Sequence, residues 1–227
     1  MPETIQAPSG PMTLHVCRDG DAEGEGWVDV YETSFPPGQR QSIEEIRAQV
    51  EAGTMELDET RDQDGRIACM TVTEVFERVG PRFLLACYTA TPTPLRSLGI
   101  GSVHHQRLVD LLEAEHPDHL GLFSEIESTR EPGLDPQTLV TRQRRLAFFL
   151  RLDVRRLPID YRFPSYRPDA PALQGELLWV PFAAPALDRD TLRGVLLRIY
   201  IEGYGLDPSA PFVRDALEIA DRSWGTA

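Results

Sequence analysis

The chain has no lysine among its 227 residues, only three cysteines, and no apolar run approaching the ~20 residues of a membrane-spanning helix. Each absence excludes something. Without lysine there can be no G-K-[ST] phosphate loop. Cys17, Cys69 and Cys87 are odd in number and widely spaced, and two of them lie in apolar strand-like runs. They suit buried thiols in a reducing compartment better than a disulfide framework or a zinc site. The start Met1-Pro2-Glu3 carries neither a basic region nor an apolar signal core, so a soluble, cytoplasmic protein is expected, with no membrane contact. Basic residues are also few: 23 arginines against 36 acids leave a net charge of -13. That balance disfavours a nucleic-acid backbone as partner and leaves room for cationic small molecules or basic peptides. The distribution is uneven, with fifteen acids and four arginines in residues 1–65 but three acids and eight arginines in residues 141–170. Solvated surface and a preference for arginine over lysine account for this as well as a substrate-shaped pattern does.

What is present is a core and a recurrent order of elements. A hydrophobic fraction of 41% over this length supports one domain with an added segment. Residues 1–11, with Pro2, Pro8, Gly10 and Pro11, read as a loose tail, followed by a short strand from Met12 to Arg18. Trp27 to Phe35 reads as a helix stopped by Pro36-Pro37-Gly38, and Ser42 with Glu45 forms a capping box that opens a second helix. Strands are expected at 54–60, 66–78 and 83–91, the first two joined by a turn containing Asp64-Gly65. A helix over 102–115 places Val103, Leu108, Leu111 and Leu112 at helical spacing, and 120–128 is the next strand. Asp135-Pro136 caps a helix running to about Leu152, with Leu139, Leu146 and Leu150 inward. Strand-like runs at 157–163 and 174–182 precede two further helices, 188–200 and 211–224.

The segment Arg96-Ser97-Leu98-Gly99-Ile100-Gly101-Ser102 falls between a strand and a helix. Glycines there let the backbone turn tightly and approach a ligand, while the first helical turn points unpaired N–H groups outward. A phosphate is the natural guest. A dinucleotide fingerprint is excluded because His104 stands where its third glycine belongs.

Arg96, Gly99 and Gly101 match the pattern Q/R-x-x-G-x-G/A, and the loop resembles the pyrophosphate loop of the GNAT superfamily of acyl-CoA-dependent N-acyltransferases. The order strand, two helices, three strands, helix, strand, helix, two strands over residues 12–182 is similar to that fold. Phe35-Pro36-Pro37-x-x-Arg40 and Arg144-Arg145-Leu146-Ala147-Phe148-Phe149 look like a bacterial branch of it. The resemblance implies a mixed α/β fold, a mostly antiparallel sheet flanked by helices, with residues 183–227 as a C-terminal helical extension packed on the core or at a homodimer contact. It implies acetyl-CoA as acyl donor, no metal, and a primary amine on a small molecule or peptide as acceptor. Thr89, Ala90 and Thr91 would pair with the pantetheine arm, and Arg96, Ser97, Leu98, Gly99, Ile100, Gly101 and Ser102 would hold the pyrophosphate.

On the strand 120–128, Phe123, Glu125 and Glu127 share a face, which sets two carboxylates roughly 6.6 Å apart along the strand. Mutual repulsion would raise the pKa of one of them toward a value suited to a base. The family's catalytic glutamate matches Glu125, with Glu127 second; the competing reading makes both of them partners of arginines on the next helix. Where the family places a tyrosine as acid for the departing thiolate, this chain has Phe149, and where it places a glycine, Asp153. Tyr161, Tyr166 or Tyr88 could supply the proton instead. The alternative function is a catalytically degenerate acyl-CoA-binding module with a sensing or interaction role.

Other candidates are weaker. His104 is expected to be a hydrogen-bonded core residue and His105 exposed, while His116-Pro117-Asp118-His119 lacks helical metal-pair spacing. Ser97 and Ser102 have no paired histidine, which disfavours a serine hydrolase. Tyr200, Tyr204, Phe212 and Trp224 would pack on the core, cover the acceptor pocket or bury a dimer contact, packing being the first expectation.

Overall fold

The computed structural model describes residues 3–7, 10–17, 26–164, 172–182 and 186–225. It has the expected class, mixed α/β with a mostly antiparallel open sheet flanked by helices. Two compact units divide it, Met1–Val75 with Leu85–His116, and Phe76–Leu84 with Pro117–Ala227.

In the first unit, β1 (Glu3–Ala7) pairs antiparallel with β2 (Gly10–Cys17). Residues expected to form a loose tail thus contribute a strand. Pro11 faces Gln6 near the start of β2, where a missing N–H is tolerated. Arg18 lies outside the described residues. Then come α1 (Gly26–Ser34), a 3-10 turn at Pro37–Gln39, α2 (Ile43–Glu51), β3 (Met55–Arg61), β4 (Ile67–Phe76) and β5 (Phe83–Ala90), of which Phe76 and Phe83–Leu84 fall to the second unit, and α3 (Ile100–Glu115). The capping box forms as read: the Ser42 hydroxyl accepts from the Glu45 N–H at 3.2 Å, and the Glu45 carboxylate accepts from the Ser42 N–H at 2.9 Å. Trp27 and Tyr31 of α1 and Ile46 of α2 meet Leu57, Met70, Val72 and Tyr88 of the strands in one buried cluster. The Tyr31 and Tyr88 rings meet edge to face at 4.9 Å. Each large side chain so buried contributes about 1.5–3 kcal/mol.

The second unit contains β6 (Gly121–Glu127), α4 (Pro136–Leu150), β7 (Arg155–Arg156), β8 (Tyr161–Phe163), β9 (Leu173–Pro181), α5 (Arg189–Arg198) and α6 (Pro211–Ser223). Strand β9 is antiparallel to β6 along one edge and to β7 and β8 along the other. Of the single strand expected over 157–163 only Tyr161–Phe163 is strand, and the two-residue β7 precedes that range. Asp135 caps α4, accepting from the N–H groups of Gln137 and Thr138. On α4 the inward position is Phe149, while Leu150 is 48% exposed, contrary to expectation. The covered stripe of α4 runs through Leu139, Arg142, Leu146 and Phe149 in steps of three, four and three residues, which leaves Leu150 beside it. The C-terminal helices pack within this unit. Arg189 and Arg193 of α5 pair with Asp221 of α6, and the Ser223 hydroxyl accepts from the Asp160 N–H at 2.7 Å.

Gly121, at the start of β6, has φ +136, and a Cβ there would stand 2.0 Å from the Val180 carbonyl oxygen. Gly121→Ala is accordingly expected to destabilise the protein by more than about 2 kcal/mol, read as a lowered urea midpoint.

Candidate active site

The glycine loop lies in the first unit. Gly99 is the N-cap of α3 with φ 88, a left-handed conformation that suits glycine, and Ser97 also has positive φ, at 65. The Gly99 carbonyl accepts from Ser102 and Val103 at 3.0 and 3.2 Å. The amides of Ile100 and Gly101 thus belong to the first turn, which has no partner within the helix. The loop is anchored from below and open above. Ile100 is buried with Ala68 and Cys69 and so offers a ligand only backbone, Leu98 packs half-buried against them, and Gly99 is exposed. The Arg96 guanidinium donates to the Thr91 carbonyl at 3.0 Å, clasping the loop to the end of β5. Thr91 donates to the Cys69 sulfur at 3.3 Å, Thr89 is exposed with its hydroxyl 3.0 Å from that of Thr71, and Ala90 is buried.

His104 fixes α3 to the sheet. Its two ring nitrogens lie 2.8 Å from the hydroxyls of Thr60 on β3 and Thr71 on β4. Burial, with His105 beside it, pushes the His104 pKa down to about 3, so the ring is neutral and bridges two hydroxyls. His105 is buried too, with a pKa lowered by burial to about 4. The exposure expected for it fails because the covered face of α3 is wide enough to include both histidines beside Ile100, Leu108 and Leu112.

The two glutamates of β6, in the second unit, are brought to different fates. Glu127 is an ion-pair partner of Arg145 on α4, the structural role weighed for it. Glu125 is instead enclosed by tyrosines: Tyr161 of β8 donates to Oε1, and Tyr204 donates to Oε2 at 3.0 Å. Its pKa rises from the ordinary 4.5 to about 7, because burial disfavours the charge more than the two hydroxyls stabilise it. Repulsion from Glu127, the cause read from the strand spacing, is not the origin of the shift. The register explains how Tyr161 reaches the carboxylate. Tyr161 lies opposite Gly175 on β9, and a Cβ at Gly175 would come within 3.0 Å of the Tyr161 ring and 2.7 Å of Phe163. Glu125 lies opposite Leu177, two residues along β9 on the same face. Ile126, on the opposite face of β6, packs with Phe149, Val154 and Leu178.

Of the substitute proton donors named from the sequence, Tyr161 contacts Glu125, Tyr88 accepts from the Gln41 N–H at 3.0 Å, and Tyr166 lies outside the described residues. Tyr204 was legible only as an aromatic residue in the last segment. Seventy-nine positions separate it from Glu125, and no local pattern links them. His116 and His119 each have a carboxylate partner, Glu56 at 3.2 Å and Glu77 at 3.5 Å. Among the described residues, no helix is long and apolar enough to cross a membrane.

No protein-family profile and no curated protein sequence matches the chain. Solved structures do. A GNAT-family protein from Bacteroides thetaiotaomicron superposes with a TM-score of 0.66 at 19% identity, covering 86% of this chain and 99% of the other. The ribosomal-protein-S18-alanine N-acetyltransferase of Escherichia coli gives 0.51 at 15% identity, covering 78% and 97%. A phosphinothricin acetyltransferase from Sinorhizobium meliloti in complex with acetyl-CoA gives 0.52 at 14% identity, covering 77% and 92%.

Proposed function

We propose that this chain, which carries the fold of the GNAT acyltransferases, is an N-acetyltransferase that moves acetyl from acetyl-CoA to a primary amine. The observation that carries the reading is Glu125, a half-buried carboxylate with its pKa pushed up to about 7, gripped by two hydroxyls. A general base works best when its pKa lies close to the operating pH. An amine substrate arrives mostly protonated. Glu125 takes that proton, directly or through one water, and the freed nitrogen attacks the thioester carbon. Collapse of the tetrahedral adduct breaks the C–S bond and expels coenzyme A as the thiolate, and the second proton leaves the nitrogen for that thiolate or for water as the neutral amide forms. The amides of residues 99–101 and the α3 dipole hold the pyrophosphate, and the edge of 89–91 takes the pantetheine arm.

Phe149 favours a second reading, a module that binds acyl-CoA without turning it over, because phenylalanine offers the thiolate no proton. A thiol with a pKa of about 8.5 leaves readily enough to make that donor dispensable. The acidic balance of residues 1–65 suits a cationic acceptor, a polyamine, an aminoglycoside or a basic peptide terminus.

Calorimetric titration with acetyl-CoA, with dephosphorylated pantetheine as control, tests the cofactor half. Micromolar binding that depends on the pyrophosphate is expected. Thiol release in the presence of amines from those three classes then separates the two readings, and an absence of acetyl-CoA binding would overturn both.

A further inference from the structure

Residues 186–225, for which the GNAT core order has no counterpart, supply a group to Glu125. Helix α5 does not end in an ordinary turn: Ile199–Gly203 is a π-helix, closed by the Tyr204 N–H on the Ile199 carbonyl at 3.0 Å, and the Leu206 N–H then meets the Tyr200 carbonyl, also at 3.0 Å. Such widened turns are uncommon and occur frequently at functional sites.

This one is held firmly. The Arg198 guanidinium is buried, donates to both Glu202 oxygens at 2.7 and 2.8 Å and to the Phe76 and Pro81 carbonyls, and lies over the rings of Phe76 and Phe83. From this anchored turn Tyr200 stacks on Tyr161 with planes 7° apart and donates to the Arg162 carbonyl at 2.7 Å. Phe212 of α6 closes on the Tyr200 ring at 5.4 Å. Tyr204, one residue past the widened turn, reaches Glu125.

We infer that Tyr204 is a positioning residue: with Tyr161 it clamps both oxygens of the Glu125 carboxylate and favours its ionised form, so that the C-terminal segment sets the pH at which the base becomes competent. The inference rests on the reading of Glu125 as the base. Among the described residues, the titratable groups acting on Glu125 are Tyr161 from β8 and Tyr200 and Tyr204 from the C-terminal segment. From β9 the facing residue is Leu177. The nearby cation of α4, Arg145, is engaged by Glu127. Tyr161 and Tyr200 carry no charge near neutrality, burial and the carboxylate itself pushing their pKa values upward. Hydroxyl donation is therefore the one influence among these that favours the carboxylate anion.

Tyr204→Phe removes one hydroxyl and keeps the ring. The acid limb of kcat/KM against pH is expected to move up by about one pH unit, which lowers the rate at pH 6 roughly tenfold and leaves the alkaline plateau within a few-fold of the parent. Acetyl-CoA affinity should be unchanged. Infrared difference spectra of parent against Glu125→Gln, recorded across pH, read the Glu125 carboxyl titration independently of catalysis, and the same comparison in the Tyr204→Phe background must show the same upward move. An unmoved carboxyl titration in folded Tyr204→Phe overturns the clamp. A moved titration with full turnover by Glu125→Gln would instead overturn Glu125 as the base and leave the clamp standing as a structural contact.

Discussion

Glu125→Gln is expected to lower turnover by roughly two to four orders of magnitude while leaving acetyl-CoA affinity intact, the loss typical of removing a general base. Glutamine preserves size; its carbonyl oxygen can still accept from one of the two tyrosines while its NH2 donates to the hydroxyl oxygen of the other, so the contacts of β6 with Tyr161 and with the C-terminal turn should survive. Thiol release measured beside calorimetry separates the two effects, and unchanged turnover would remove Glu125 as the base. The same variant carries a stability signature. Because burial raises the Glu125 pKa from 4.5 to about 7, the folded protein binds this proton more tightly than the unfolded chain does. The benefit is complete below 4.5, shrinks as pH rises through that window, and is lost above 7, a change of roughly 3 kcal/mol across it. Glutamine does not titrate. The variant should therefore gain stability relative to the parent between pH 5 and pH 8, as measured by urea unfolding at both. A constant difference would mean that Glu125 has an ordinary pKa.

Gly101→Glu is expected to weaken acetyl-CoA binding by at least about 100-fold, close to 3 kcal/mol, because it sets a negative side chain among the amides that would meet the pyrophosphate. Its effect on the fold has the opposite sign. Position 101 lies in the first turn of α3, where an acidic side chain gains about 0.3–1 kcal/mol from the helix dipole and glutamate is a better helix former than glycine. Lost binding with a held or raised melting temperature would identify the loop as the phosphate site. Retained affinity would remove that assignment.

The glycine loop and the glutamate were legible for different reasons. At 96–102 the evidence is local: two glycines at a strand-to-helix junction, with Gly99 in fact left-handed at the N-cap of α3. At β6, alternation put Glu125 and Glu127 on one face but could not say which would be buried. Their separation came from two partners, Arg145 on the next helix for Glu127 and a tyrosine pair for Glu125. His105 shows the same limit, since the width of the covered face of α3 depends on what packs there.

By itself the sequence determined the order of elements from the first helix to α4, the capping box at Ser42 and Glu45, the cap at Asp135, the glycine junction at 96–102 and the candidacy of Glu125. These are short-range effects, set by backbone geometry and by partners within a few residues. Only the tertiary structure decided that burial pushes the Glu125 pKa upward, that Tyr161 and Tyr204 hold it from 36 and 79 positions away, and that the last segment lies beside Glu125. Desolvation and hydroxyl convergence depend on which surfaces cover one another, and a single sequence does not display that.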